Sequence, residues 1–174
     1  GLKPINLYGG TPFAGATRQY RIASGYNTAI FNGDVVEMIN DGTIIKSAIT
    51  SACATVTTSQ VMGVFMGCSY VNAQGQTTFA QYFPANTTAP TGTFITAYVC
   101  NDPNTLFKCV IAAGATADDA TSGLLPSSST QYTVIGTNVA LVQNSGLTTT
   151  GDSRIAVASS ATTGTLPMLS LIHI

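Results

Sequence analysis

Apolar and polar positions alternate along this chain in short runs, and turn-forming residues interrupt the runs about every 8–12 positions. Tyr20 and Ile22 alternate with Arg21. The β-prone runs Val35–Ile39 and Thr43–Ser47 flank Asn40-Asp41-Gly42. Val61–Val71 and Thr77–Phe83 bracket Asn72-Ala73-Gln74-Gly75, and Thr93–Cys100 and Leu106–Ala112 bracket Asn101–Thr105. Tyr132–Ile135 and Val139–Val142 lie about Gly136-Thr137-Asn138, and Arg154–Ala158 and Leu166–Ile174 finish the chain. A period of two in Val, Ile and Thr predicts strands. The expected fold is all-β: a compact antiparallel barrel or sandwich over residues 18–174, with about six to nine strands. One helical turn is expected to start at Thr116, with Asp118 and Asp119 near its N-terminus. Thr50–Ser59 reads as a polar connection or edge strand.

Two turns have explicit chemistry. Asp41-Gly42 tolerates the positive φ of a two-residue hairpin loop. That loop sets Asn40 opposite Thr43, Ile39 opposite Ile44 and Glu37 opposite Lys46, an exposed cross-strand ion pair. Pro103 suits position i+1 of a type I turn, with Asp102 before it. Cys100 and Cys109 flank that turn and would face each other across a hairpin in one register.

Residues 1–17 differ from the rest. Their four Gly and two Pro argue against a helix or a long strand, so the segment is expected to be an extended N-terminal arm. It nevertheless carries Leu2, Ile5, Leu7, Tyr8 and Phe13, each worth about 1.5–3 kcal/mol when fully buried. The expectation is burial against a neighbour, with Lys3 and Arg18 framing the arm and pairing with carboxylates. The alternative is an arm folded back on its own domain.

Composition narrows the function. Six Lys+Arg and seven Asp+Glu make charged residues 7% of the 174, with a net charge of −1, while Thr numbers 27 and Ser 14. An average domain is about 25% charged. Mean hydropathy is +0.30 and the pI about 5.5. Nucleic acid is not an expected partner, since no basic footprint exists. A membrane is not expected either, and no apolar run is long enough for a signal peptide or a membrane-spanning helix. So little charge on a soluble chain points to life inside a large assembly.

Candidate chemistry is sparse. His173 is the sole histidine and stands next to the last residue, so a nucleophile–histidine relay is not expected. Most carboxylates sit in turn-like settings where Asp bonds its own backbone. Cys53, Cys68, Cys100 and Cys109 lack metal-knuckle spacing and read as buried free thiols. Gly9-Gly10-Thr11-Pro12 has neither the lysine nor the helix of a phosphate loop. Tyr20, Tyr26 and Phe31 are expected to pack inward. Neither an enzyme nor a bound metal or cofactor is expected.

Several segments are similar, in order, to one family. They are Pro12-Phe13-Ala14-Gly15-Ala16-Thr17-Arg18 with Tyr20–Tyr26, Ile30-Phe31-Asn32-Gly33-Asp34-Val35-Val36, Gly63–Tyr70 with Asn72–Gln76, Ala97–Phe107, and Thr163-Gly164-Thr165-Leu166-Pro167. Together they resemble small virion structural proteins of tailed bacteriophages of aquatic bacteria, candidates for capsid decoration or cement. The resemblance implies a viral protein on the head surface of the virion, assembled in the host bacterial cytoplasm. Its implied partners are the major capsid protein of the same phage and copies of itself, as a dimer or trimer. Reduced thiols at Cys68 and Cys100 fit that compartment. On this reading the candidate partner-binding residues are Leu2, Lys3, Ile5, Leu7, Tyr8, Phe13 and Arg18. Asp41, Gly42, Asp102 and Pro103 form structural turns. The competing readings are a host-recognition or carbohydrate-binding module of a phage fibre and a tail-tube subunit.

Overall fold

The computed structural model describes residues 1–47, 61–112, 138–142, 144–161 and 168–169. The described part is all-β, with no helix and with almost entirely antiparallel pairing. It divides into two compact units.

The first unit contains the described residues 1–47, 61–108 and 146–153. Its larger sheet runs β2 (Arg18–Ile22), β7 (Ile95–Cys100), β5 (Val61–Val71), β3 (Val35–Met38) and β4 (Ile44–Lys46). A short strand, β6 (Thr77–Ala80), pairs with the far end of β5. β5 is long enough, at 11 residues, to take β3 along its first part and β6 along its last. The two ends of the strand order meet at one parallel bridge, Arg21 to Thr43. Ile22, Val36, Ile44, Phe65, Ile95, Ala97 and Val99 form the core, with Tyr20 and Tyr26 packed against it. Phe31 is also buried, as the aromatic pattern predicts.

Residues 1–17 follow the alternative reading, an extended arm folded back on its own unit. Lys3–Leu7 is strand β1, antiparallel to β8 (Thr105–Lys108), and Leu2 is fully buried within its own chain. The chain then turns back, with Leu7 N–H bonded to the Thr11 carbonyl and Phe13 N–H to that of Ile5. Two of the four glycines that weigh against a strand, Gly9 and Gly10, sit in this loop, and Pro4 and Pro12 lie in edge pairings that can spare an N–H.

Three loops of this unit share one construction. In 7–11, 39–43 and 72–76 the first residue's N–H bonds the fifth residue's carbonyl. The fourth, a glycine near φ +80°, donates back to the first. This is the three-residue hairpin loop with a left-handed residue, which only glycine adopts without strain. At 39–43 it corrects the expected register by one position: Met38 faces Ile44, Glu37 faces Ile45, and Lys46 faces the fully buried Val36. The Glu37–Lys46 pair therefore does not form; Glu37 instead accepts a 3.3 Å bond from the Ser47 hydroxyl.

The Asn72–Gln76 hairpin stands where predicted. The Asp102-Pro103 turn also forms, with Asp102 Oδ1 accepting the Asn104 N–H at 2.9 Å. Its flanking strands do not pair with each other, however: β7 joins β2 and β5, and β8 joins β1.

The second unit's described residues form a four-stranded sheet, in the order β12 (Met168–Leu169), β10 (Asn138–Val142), β11 (Ala156–Ala161) and β9 (Val110–Ala112). β9 and β11 are parallel. The expectations at Thr50–Ser59, Thr116–Asp119 and Tyr132–Ile135, and those on Cys53 and His173, lie outside the described residues.

Candidate functional site

Two places in the first unit concentrate chemistry, and β5 contributes to both. The first is buried. Asp34 begins the segment that becomes β3, and its side chain has no exposed surface. Lys46, turned inward by the three-residue loop, places Nζ 2.8 Å from Asp34 Oδ2, which also accepts the Phe31 N–H at 2.9 Å. The Ser153 hydroxyl donates to Oδ1 at 2.6 Å. The Lys46 ammonium also lies 5.5 Å from the Phe31 ring centroid. Backbone bonds extend the cluster: Asp34 accepts from Phe65, Asn32 from Ser153, Gly33 from Leu2, and Ser153 from the Gly1 amine at 2.7 Å. A Cβ on Gly33 would collide with the Leu2 backbone, and φ is +93° there, so the close approach requires glycine.

An Asp–Lys–Ser trio resembles catalytic machinery in composition. Its burial assigns it to structure, because a substrate must reach a nucleophile and Asp34 presents no surface to reach. Its carboxylate is satisfied from both sides, as a buried charge requires. Together with the backbone bonds around it, the trio fastens four stretches of chain: residues 1–2, residues 31–46, Phe65 and Ser153.

The second place is exposed. On β7, Ile95, Ala97 and Val99 point into the core, so Thr96 and Tyr98 point outward, as does Phe94 just before the strand. Register puts Phe79 of β6, Ser69 of β5, Thr96 of β7 and Arg21 of β2 in one row across this outer face. Thr77 and Val71 form the adjacent row. Phe79 is 75% exposed and Phe94 58%. The Arg21 guanidinium lies 3.8 Å from the centre of the Phe94 ring, and Ser69 and Tyr98 share a 3.1 Å hydrogen bond. Between Lys46 and Asp102 the sequence has no charged residue, so β5, β6 and β7 bring no charge to this face. The result is a surface of aromatic rings and hydroxyls with one cation at its margin.

The residues expected to bind a partner divide between inside and outside. Leu2 is in the core; Leu7 and Phe13 are half-buried. Ile5 and Tyr8 of the N-terminal hairpin remain 49% and 73% exposed. Lys3 is exposed, 3.9 Å from Asp152. Arg18 is exposed and belongs to β2, in the other sheet. Phe79, Phe94 and Arg21 were not among the expected residues. The signal for Phe94 was the alternation Phe94-Ile95-Thr96-Ala97-Tyr98-Val99, which puts the aliphatic residues on one face and the rings and hydroxyl on the other.

Cys68, Cys100 and Cys109 are free thiols, so Cys100 and Cys109 are not bridged. Burial pushes the Cys68 thiol up to about 12, and burial also raises that of Cys109. Cys100 Sγ lies 3.6 Å from the Thr105 hydroxyl. Cys68 and Cys109, held protonated by burial, are poor nucleophiles. Asp41 shifts the other way, held below the usual carboxylate range by the backbone and side-chain hydrogen bonds of Thr43.

No family model, curated protein or solved structure matches this chain.

Proposed function

We propose that the chain is a bacteriophage virion structural protein, a decoration or cement protein that binds the head shell and reinforces contacts between capsid subunits. The observation that supports this reading is the outer sheet face bearing Phe79 and Phe94, to which β5, β6 and β7 bring no charge and Arg21 alone adds one at the margin. A free-standing protein normally covers such a face with charge. On a shell it buries with little desolvation cost, and threonine gives up little side-chain entropy there. Repetition over the lattice then makes a modest interface sufficient. Ile5 and Tyr8, on the N-terminal hairpin, are a second contact on this reading, with the major capsid protein as the partner.

The test is reconstitution on heads that lack the protein. Added protein is expected to bind in a fixed ratio to the shell subunit and to raise the temperature at which heads rupture. Tyr8→Ser combined with Ile5→Ser should weaken binding while leaving the β-type circular dichroism intact. Heads of unchanged stability, or protein found only in the few copies of a tail or fibre, would overturn the proposal.

A further inference from the structure

β6 is an edge strand with an open outer side. Its hairpin closes with Asn72 N–H bonded to the Gln76 carbonyl. Hydrogen-bonded and non-bonded pairs alternate from there. Tyr70–Thr78 and Cys68–Ala80 are therefore the bonded pairs, while Thr77 and Phe79 turn their N–H and C=O groups away from β5. Among the described residues no backbone group takes up that side. Natural edge strands are blunted by lysine, proline, a bulge or a covering segment. Thr77–Ala80 carries no charge and no proline, its pairing with β5 has no bulge, and Phe79 stands 75% exposed on it.

We infer that β6 is a self-pairing edge, on which a second copy of this chain adds its own β6 antiparallel across a two-fold axis. The open N–H and C=O groups call for an extended backbone as the occupant. The charge pattern selects a second copy. In a two-fold pairing residue i of each copy meets residue j of the other, so one charge on the strand enters the same short interface twice and repels its like. No charged residue occurs from 47 to 101, and the net charge of the chain is only −1. The register that bonds Thr77 and Phe79, the two residues whose backbone groups face outward, to each other puts Thr78 on the axis. Thr77 then exchanges both backbone bonds with Phe79 of the other copy, and each Phe79 ring covers the facing Thr77. The two outer sheet faces become one continuous surface. This inference rests on the geometry of β6, independently of any role on a phage head.

Sedimentation of the free protein over a concentration series tests it. The wild type is expected to pass from the 17.9 kDa monomer to a species of twice that mass. Phe79→Lys and, separately, Thr77→Lys should remain monomeric while keeping wild-type circular dichroism. Phe94→Lys, on the same face but two strands in from the edge, should dimerise like wild type. Thr78→Cys should give a disulfide-linked dimer on oxidation, reversed by reductant. A wild type that stays monomeric to its solubility limit would overturn the inference, as would a trimer. So would folded Phe79→Lys and Thr77→Lys variants that still dimerise, or loss of dimer in Phe94→Lys.

Discussion

The cluster around Asp34 and the outer face of β6, β5 and β7 belong to the same sheet yet use charge in opposite ways. Behind the sheet a carboxylate and an ammonium are taken fully or nearly out of water, at 0% and 10% side-chain exposure. In front of it, β5, β6 and β7 supply no charge to the surface. A soluble protein usually reverses this, with charge outside and hydrocarbon inside. The inversion shows what each region answers to. The buried pair fixes one path for the chain, because a lone charge there would be costly. The bare face carries nothing that would repel another β-surface.

The largest expected effect comes from breaking the buried side. Asp34→Ala leaves the Lys46 ammonium in the core without its carboxylate and should cost about 3–5 kcal/mol, read from urea unfolding. Lys46→Met should cost a comparable amount. The double variant should cost clearly less than the sum, since each change removes the charge that the other leaves exposed to the core. Strict additivity would mean that the 2.8 Å contact contributes no coupling.

This pair also shows how far the sequence can be read. Asp41-Gly42 correctly marks the turn, but Asp-Gly serves a two-residue loop and the last two positions of a three-residue loop equally well. One residue of difference transfers every later side chain to the opposite face. Lys46 thus reads as a surface partner of Glu37 when it is the buried partner of Asp34. The N-terminal segment misleads for a related reason. Gly9, Gly10 and Pro12 are counted as breakers of the whole segment, although they belong to the loop and its return. At Asp102-Pro103 the turn is legible and the partners are not, because pairing β8 with β1 is a long-range choice that local turn chemistry does not encode. What the residues do state correctly is the class of fold, the Asn72–Gln76 hairpin and the inward packing of Phe31.

A smaller effect is expected between the two regions, where β5 presses on β7. A Cβ on Gly63 would meet the Cys100 carbonyl oxygen and a Val99 methyl. Gly63→Ala should therefore cost about 1–3 kcal/mol through overpacking. A neutral result would mean that the two strands can separate at that point.

Cys68, on the core side of β5, gives an effect confined to base. Its thiol resists ionising in the fold, about 12 against an ordinary 9.0, so the unfolded chain releases this proton first. Stability from this group is fully present below pH 9 and is lost as pH rises from 9 towards 12. Alkylation at pH 8 should accordingly leave Cys68 unmodified until urea is added. Rapid native labelling would contradict the burial.

The smallest effects belong to the outer face, and their smallness is what distinguishes it. Phe79 makes little contact with its own unit, so Phe79→Ser should change stability by no more than about 0.5 kcal/mol. The same loss of aromatic bulk at the fully buried Phe65 should cost about 3–5 kcal/mol. Phe94 falls between them because Arg21 rests on its ring at 3.8 Å. An exposed cation–ring contact contributes about 0.5–1 kcal/mol, so Phe94→Leu should cost roughly that much in wild type. In an Arg21→Gln background, where no cation remains to lose, the same substitution should cost less. Thermal unfolding of the four proteins in the cycle measures the coupling directly. A coupling near zero would leave Phe94 as an exposed ring held by nothing in its own chain, as unsupported as Phe79.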